Sequence, residues 1–372
     1  MDEKLEQYLQ ACENKFPVGG AIVISINNQI KYANGFGKAR LGEEAIDFTP
    51  DTLTSIQSVS KSFAAASIMK LVEDNLVSLD APIVDYLPYF QTSDKKISDQ
   101  ITVKQLLSHT SGLPGDLVIG NLITPNRHEF TAFNALKAQI GMTDDDLEQI
   151  HTPEDVTKYL RNVKLESEPG TTWSYCTDGY IIVADLFEKV TGLRWNDYIE
   201  NEFLPKLNLD RTTLNYQKVM QDPNSASFYT NEGDTFVNKV QPDVQRDVFL
   251  TPFPINTIGA PMGFIYSTAN DLTTYLSAYM KEGALVTSES LKAMTEHLGI
   301  IDEEGSYGLG WATWNNNGHQ VVEHGGGFIG INCNISMVPD LGISIVVLSN
   351  HDQTPSYHIC KDIVDLLLAD VS

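Results

Sequence analysis

Apolar positions recur along the chain at two different spacings, and they divide it into strand-bearing ends and a helical middle. Leu5, Tyr8, Leu9 and Cys12 fall on one helical face, which predicts a helix over residues 2–15 packing its stripe on something large. The runs GAIVISI (20–26) and QIKYANGFG (29–37) read as strands joined at Asn27-Asn28, a pair that tolerates the positive backbone angles of a two-residue turn. Residues 55–72, SIQSVSKSFAAASIMKLV, are apolar nearly all round, as a helix buried inside a larger protein is. Pro82 and Pro88 then break the pattern, and TVKQLLSHTSGLP (102–114) predicts a short helix from Thr102 stopped by Ser111-Gly112. Residues 115–150, rich in Asn, Thr and Asp, read as loop and short helix in a surface excursion or lid. Helical spacing returns over 153–163, over 179–192 with Gly192 as its stop, and over 269–283, while 215–258 is polar and irregular. Beyond it YGLGWATW (307–314), HQVVEHGG (319–326), GINCNISMVP (330–339) and GISIVVLSN (342–350) predict an antiparallel meander, closed by a helix over 355–369. The expected fold is α/β: one antiparallel sheet built from both chain ends and flanked by helices, with a mostly helical region inserted.

The length, 372 residues, accommodates two domains or one large enzyme-type domain. The strand pattern favours a single unit, with 1–55 and 295–372 forming the α/β region and 56–294 the helical one. No apolar run approaches the roughly 20 residues that span a bilayer, so no membrane partner is expected. The acidic, amphipathic start, MDEKLEQYLQACENKF, is unlike a signal peptide, and the expected location is cytoplasmic. A net charge of -24, from 49 acidic and 25 basic residues, repels phosphate backbones and excludes nucleic acid as a partner. Cys12, Cys176, Cys333 and Cys360 lack Cys-x-x-Cys spacing and read as free thiols. The eight histidines show no ligand spacing, so neither a metal nor another cofactor is implied. Oligomeric state is not encoded in any pattern here.

Ser58 and Lys61 form a Ser-x-x-Lys pair on one face at the start of the 55–72 helix. Burial there would strip water from the lysine, lower its pKa and fit it to act as a base near neutral pH. The same spacing also marks many exposed helix starts, so the pair needs companions. Tyr175 precedes the apolar helix at 179, and His324 stands beside Gly325, Gly326 and Gly327, where missing side chains admit close approach to the backbone.

With these in place the chain resembles the serine β-lactamase-like superfamily, in its class C β-lactamase, D-aminopeptidase and family VIII esterase branch. Ser58-Val59-Ser60-Lys61 resembles that family's first motif. Tyr175-Cys176-Thr177 stands where the family carries Tyr-x-Asn, and His324-Gly325-Gly326 where it carries Lys-Thr-Gly or His-x-Gly. LLSHTSGLP (106–114), EPGTTWSY (168–175), GFIYSTANDL (263–272) and YGLGW (307–311) extend the likeness over nearly the whole chain. The resemblance implies a β-lactamase/transpeptidase-like fold. It makes Ser58 the nucleophile of an acyl-enzyme, with Lys61 and Tyr175 sharing the acid and base work. It places the oxyanion hole at the backbone N–H groups of Ser58 and Gly327, and substrate contacts at Thr177, His324, Gly325 and Gly326. Which of Lys61 and Tyr175 takes the proton stays open at this point.

Two departures bear on substrate. Thr177 lacks the amide of the family's Asn, and His324 replaces a fixed positive charge with one weaker at neutral pH. Both turn the expectation from a β-lactam or D,D-peptide toward a small neutral ester, amide or short peptide. A β-lactamase or D,D-peptidase is the alternative, and a non-catalytic scaffold or sensor that keeps the fold is a second. The pocket walls are expected from 115–150 and 215–258. Gly325 to Gly330 satisfies G-x-G-x-x-G, but a strand-like run follows it where a dinucleotide site needs a helix. HGGG lacks the G-x-S-x-G elbow of α/β-hydrolases. His109 with Ser111 reads as a helix-ending turn, and Asp144-Asp145-Asp146 as a solvated face.

Overall fold

Asn27 and Asn28 both sit at positive φ, 51° and 61°, and fold Gln29–Arg40 (β2) back on Gly19–Ile26 (β1). This hairpin belongs to a computed structural model that describes residues 3–115, 117, 119–123, 137–138, 140–230, 257–303, 305–328 and 330–369. The further strands are β3 (Ile46–Asp47), β4 (Thr54–Ser55), β5 (Tyr266–Ser267), β6 (Gly299–Ile300), β7 (Gly305–Tyr307), β8 (Ala312–Asn316), β9 (His319–Phe328), β10 (Ile331–Val338) and β11 (Ile343–Ser349). Among the described residues they make a nine-stranded antiparallel sheet, ordered β3-β2-β1-β11-β10-β9-β8-β7-β6, and a separate β4-β5 pair. The two chain ends meet where β1 pairs with β11, Ala21 opposite Leu348 and Val23 opposite Val346.

Both faces of the sheet are covered, which is why β1 and β11 read as continuous apolar runs instead of alternating ones. Ile22, Ile24, Ile345 and Val347 face a cluster with Leu5 and Leu9 of the N-terminal helix, Glu3–Ala11, and Ile359, Ile363 and Leu368 of the C-terminal helix, Ser356–Leu368. Ala21, Val23, Val346 and Leu348 face the larger cluster that contains the Ser60–Glu73 helix. That helix is buried on every side from Ser60 to Met69, with Phe63 stacked on Tyr275 at 4.0 Å and Ser67 Oγ accepting the Trp195 indole N–H at 2.9 Å.

Two expectations change, and a third, the solvated acidic face, gains a structural cause. The helix that starts at Thr102, with a capping box to Gln105, runs only from Val103 to Leu107 and stops before Ser111-Gly112, because His109 turns left-handed at φ 58°. The run 307–314 is two strands, β7 and β8. Gly308 N–H bonds Trp311 O at 2.8 Å, and Gly310, at φ 77°, sits where a Cβ would meet Ala65 Cβ at 2.6 Å. Asp144–Asp146 are the first turn of a helix, Asp144–Glu148, where Asp146 and Thr143 cap each other and negative charge is favoured. The expected lid and irregular stretch fall largely on residues 124–136 and 231–256, outside those described. No helix among the described residues is long and apolar enough to cross a membrane.

Glu323 is buried between the sheet and the C-terminal helix, 5% exposed, accepting from Asn334 Nδ2 at 3.3 Å and Ser336 Oγ at 3.2 Å. Burial pushes its carboxyl from 4.5 to about 7, against the pull of Asn334, Ser336, Trp314 and Lys361. The folded protein therefore binds this proton more tightly than the unfolded chain, and the stability it contributes is lost as pH rises from 4.5 through 7. Glu323→Gln should flatten that decline, leaving the variant more stable than wild type at pH 8 by on the order of 1–3 kcal/mol in urea titrations. Equal pH dependence in both proteins would refute this.

Candidate active site

Ser58 belongs to a 3-10 turn, Gln57–Val59, and the α-helix proper begins only at Ser60. Gln57 is bent to φ 45° and held by its side-chain N–H to Ser55 Oγ at 2.9 Å. Such strain persists only where surroundings over-determine it, and here it presents Ser58, partly exposed, at the rim of a cleft. One turn on, Lys61 is fully buried. Its Nζ lies 3.1 Å from Ser58 Oγ, donates to Met262 O at 2.6 Å, and stands 5.0 Å from the Tyr175 ring centre. Burial lowers Lys61 from 10.5 to about 7, opposed by Cys176 and Asp178. Tyr175 lines the cleft and keeps partial exposure; the burial of its surroundings raises its phenol above the ordinary 10, although its hydrogen bond with Ser58 pulls the other way. An amine that loses its proton near neutrality therefore faces the serine, beside a tyrosine that holds its own.

The cleft has a volume of about 250 Å³ and is lined by Ser58, Tyr175, His324, Gly325 and Gly327 together with Trp173, Ile301, Tyr307 and Ala312. A larger hollow of about 670 Å³ lies elsewhere, near Lys206, Asn270 and Lys281, away from this chemistry. Tyr307 Oη donates to His324 Nε2 at 2.7 Å, while His324 Nδ1–H donates to Gly325 O at 2.7 Å, so the imidazole is a neutral tautomer with both nitrogens engaged. Burial, then repulsion from Lys61, lowers it to about 3, against the pull of Gly325 O. His324 therefore supplies no positive charge at neutral pH.

Two expected substrate contacts are placed differently. Gly326 turns onto the Ser58 turn and away from the cleft: a Cβ there would lie 2.2 Å from Ile56 O and 2.7 Å from Cys333 Sγ. Thr177 is not among the lining residues; its carbonyl accepts the Tyr180 N–H at 3.2 Å as the next helix begins. Gly326→Ala should force β9 away from Ser58 and slow acylation of that serine by ~100-fold, the scale of a 1 Å misplacement. Gly327→Ala, whose Cβ would come no closer than 3.9 Å to Ile331 O, should retain the wild-type melting temperature. Equal acylation of Gly326→Ala and wild type, followed by intact mass, would refute the packing argument.

The sequence reading missed Trp173, Ile301 and Ala312 as walls, and gave no chemical part to Tyr307. Trp173 and Tyr307 did lie in matched stretches, EPGTTWSY and YGLGW, but nothing local shows that both would face Ser58. It also missed His109, which is buried against Tyr175 with ring centres 4.2 Å apart. Asp178 is buried too, accepting from Ile119 N at 2.5 Å and Gly120 N at 2.9 Å. Burial raises it to about 7, opposed by those amides and by Lys61.

The fold is shared with solved proteins. The penicillin-binding protein homologue from Pyrococcus abyssi, described as octameric, superposes with a TM-score of 0.78 at 26% identity, covering 99% of this chain and 78% of that one. A D-stereospecific amidohydrolase from Streptomyces sp. gives a TM-score of 0.73 at 22% identity, covering 98% of each chain. In sequence the chain is 24% identical over 336 residues to Protein flp of Staphylococcus aureus (strain COL), covering 89% of this chain. It spans only 59% of that relative's length. The family model described as Beta-lactamase matches residues 4–369, and the chain belongs to that family.

Proposed function

We propose that the protein is a serine hydrolase that cleaves a small neutral ester, amide or short peptide through an acyl-Ser58 intermediate. The observation that carries this reading is the buried Lys61 amine, 3.1 Å from Ser58 Oγ and lowered to about 7. With one N–H committed to Met262 O, the deprotonated amine has its lone pair free for the serine proton as Oγ attacks the substrate carbonyl. Tyr175 stays protonated at rest, hydrogen-bonded to Ser58, and passes a proton to the leaving oxygen or nitrogen. The oxyanion forms against the N–H groups of Ser58 and Gly327, where loss of one donor costs about 3 to 4 kcal/mol of barrier in comparable hydrolases. The protonated Lys61 then reprotonates Tyr175, water attacks the acyl carbonyl as the again neutral amine takes its proton, and the acyl–Oγ bond breaks with that proton returning to Ser58 as the acid leaves.

The neutral state of His324 supports an uncharged substrate, since it offers no counter-charge to a carboxylate. Trp173, Tyr307 and Ile301 supply apolar surface for the acyl group. The test is intact mass after incubation with a fluorophosphonate, then turnover of acyl esters, D- and L-amino-acid amides and nitrocefin. A mass increase on Ser58 with turnover of esters or amides is expected. A folded protein that takes no label would sink the proposal, and efficient nitrocefin turnover would replace its substrate class.

A further inference from the structure

His109 occupies a backbone position that suits glycine. It is the left-handed residue that ends the Val103–Leu107 helix: its N–H bonds Leu106 O at 3.3 Å, and the Thr110 N–H returns to Gln105 O at 2.9 Å. Helices that stop this way place Gly there, or sometimes Asn, because other residues strain at positive φ. A histidine kept at such a position, 1% exposed, breaks a local rule next to the reactive centre.

Its contacts supply a reason. The Ser174 N–H donates to His109 O at 2.8 Å and the Cys176 N–H donates to His109 Nδ1 at 3.1 Å, so one residue grips the chain on both sides of Tyr175. The imidazole also lies against the Tyr175 ring at 4.2 Å and the Tyr307 ring at 4.8 Å. Because Nδ1 accepts, the proton is on Nε2, which has no partner among the described residues. We propose that His109 is a positioning residue for Tyr175, acting through the Nδ1 acceptor that fixes the Cys176 amide. It touches no substrate and moves no proton. The inference rests on Tyr175 acting at Ser58, as proposed above.

Three variants separate acceptor, backbone and ring. Asn keeps an acceptor near the Nδ1 position and tolerates positive φ; Gly keeps only the backbone freedom; Phe keeps only a ring. The readouts are the rate of Ser58 acylation by a fluorophosphonate, kcat and KM for an activated acetate ester, and melting temperature. His109→Asn should acylate within ~3-fold of wild type, while His109→Gly and His109→Phe should lose about 100-fold in acylation rate and in kcat with KM little changed, the scale of a misplaced reacting group. His109→Gly acylating as fast as His109→Asn would overturn the proposal, as would losses that follow melting temperature across all three. A wild type that takes no label would overturn the acyl-enzyme reading itself, and this inference with it.

Discussion

Ser58→Ala is expected to take no label from a fluorophosphonate and to lose on the order of 10⁴-fold or more in turnover, since no other serine, threonine or cysteine lines the cleft among the described residues. Residual activity would come from binding and the oxyanion donors alone. The folded state should barely notice. Ser58 is partly exposed and its loss removes one small hydroxyl, whereas its neighbour Ser60 is buried and accepts the Ile265 N–H at 3.2 Å. Ser60→Ala is therefore the matched control: it should lower stability by about 1 kcal/mol and keep its label. Label persisting in Ser58→Ala would place the nucleophile elsewhere. Label on wild type without release would favour a sensor over a hydrolase.

Lys61→Met carries the second large effect. General base catalysis contributes roughly 10²–10⁴-fold, so acylation should fall by about 10³-fold. Stability should hold, because an apolar chain of similar length replaces a buried amine, which offsets the loss of the bonds to Met262 O and Ser58 Oγ. The pH dependence separates the two possible bases. If Lys61 takes the proton, the acylation rate climbs tenfold per pH unit below about 7 and levels above it. If a Tyr175 phenolate did so, the rise would continue into the alkaline range, since that phenol is raised above 10. The linked effect on stability has the same sign. Between about 7 and the ordinary 10.5 the unfolded chain binds a proton that the folded lysine does not, so wild type gains stability as pH rises through this window. Lys61→Met should lose that gain. A flat rate profile from pH 6 to 8 would rule out the lysine base.

Much of the fold was legible because its signals are local. Asn27-Asn28 takes the positive φ that a two-residue turn demands, Gly192 ends its helix at φ 72°, and the apolar circumference of 60–69 matches full burial. The misread places share one cause. His109 ends a helix where glycine was expected three residues further on, and Gly308-Leu309-Gly310 cuts one apparent strand into two because that turn must clear the Ser60–Glu73 helix. Neither constraint exists until the helix and the strands are brought together.

The candidate site divides the same way. Motif residues identified Ser58, Lys61, Tyr175 and the His324 glycine run, because a reactive constellation limits residue type at each position. Their protonation states are another matter. Lys61 is lowered by burial among segments more than a hundred residues away, Met262 and Tyr175 included, and His324 is neutral because burial, then the Lys61 charge, disfavours its imidazolium. Gly326 looked like a substrate contact and proved to be the clearance that lets β9 reach the Ile56 carbonyl. The amino-acid sequence by itself determined the family, the sheet built from both ends and the candidate reacting groups. Tertiary structure alone decided how far Lys61 and Tyr175 are shifted from their ordinary pKa values, which histidine carries no charge and which glycine packs, since dielectric, hydrogen-bond partners and steric clearance are properties of neighbours in space.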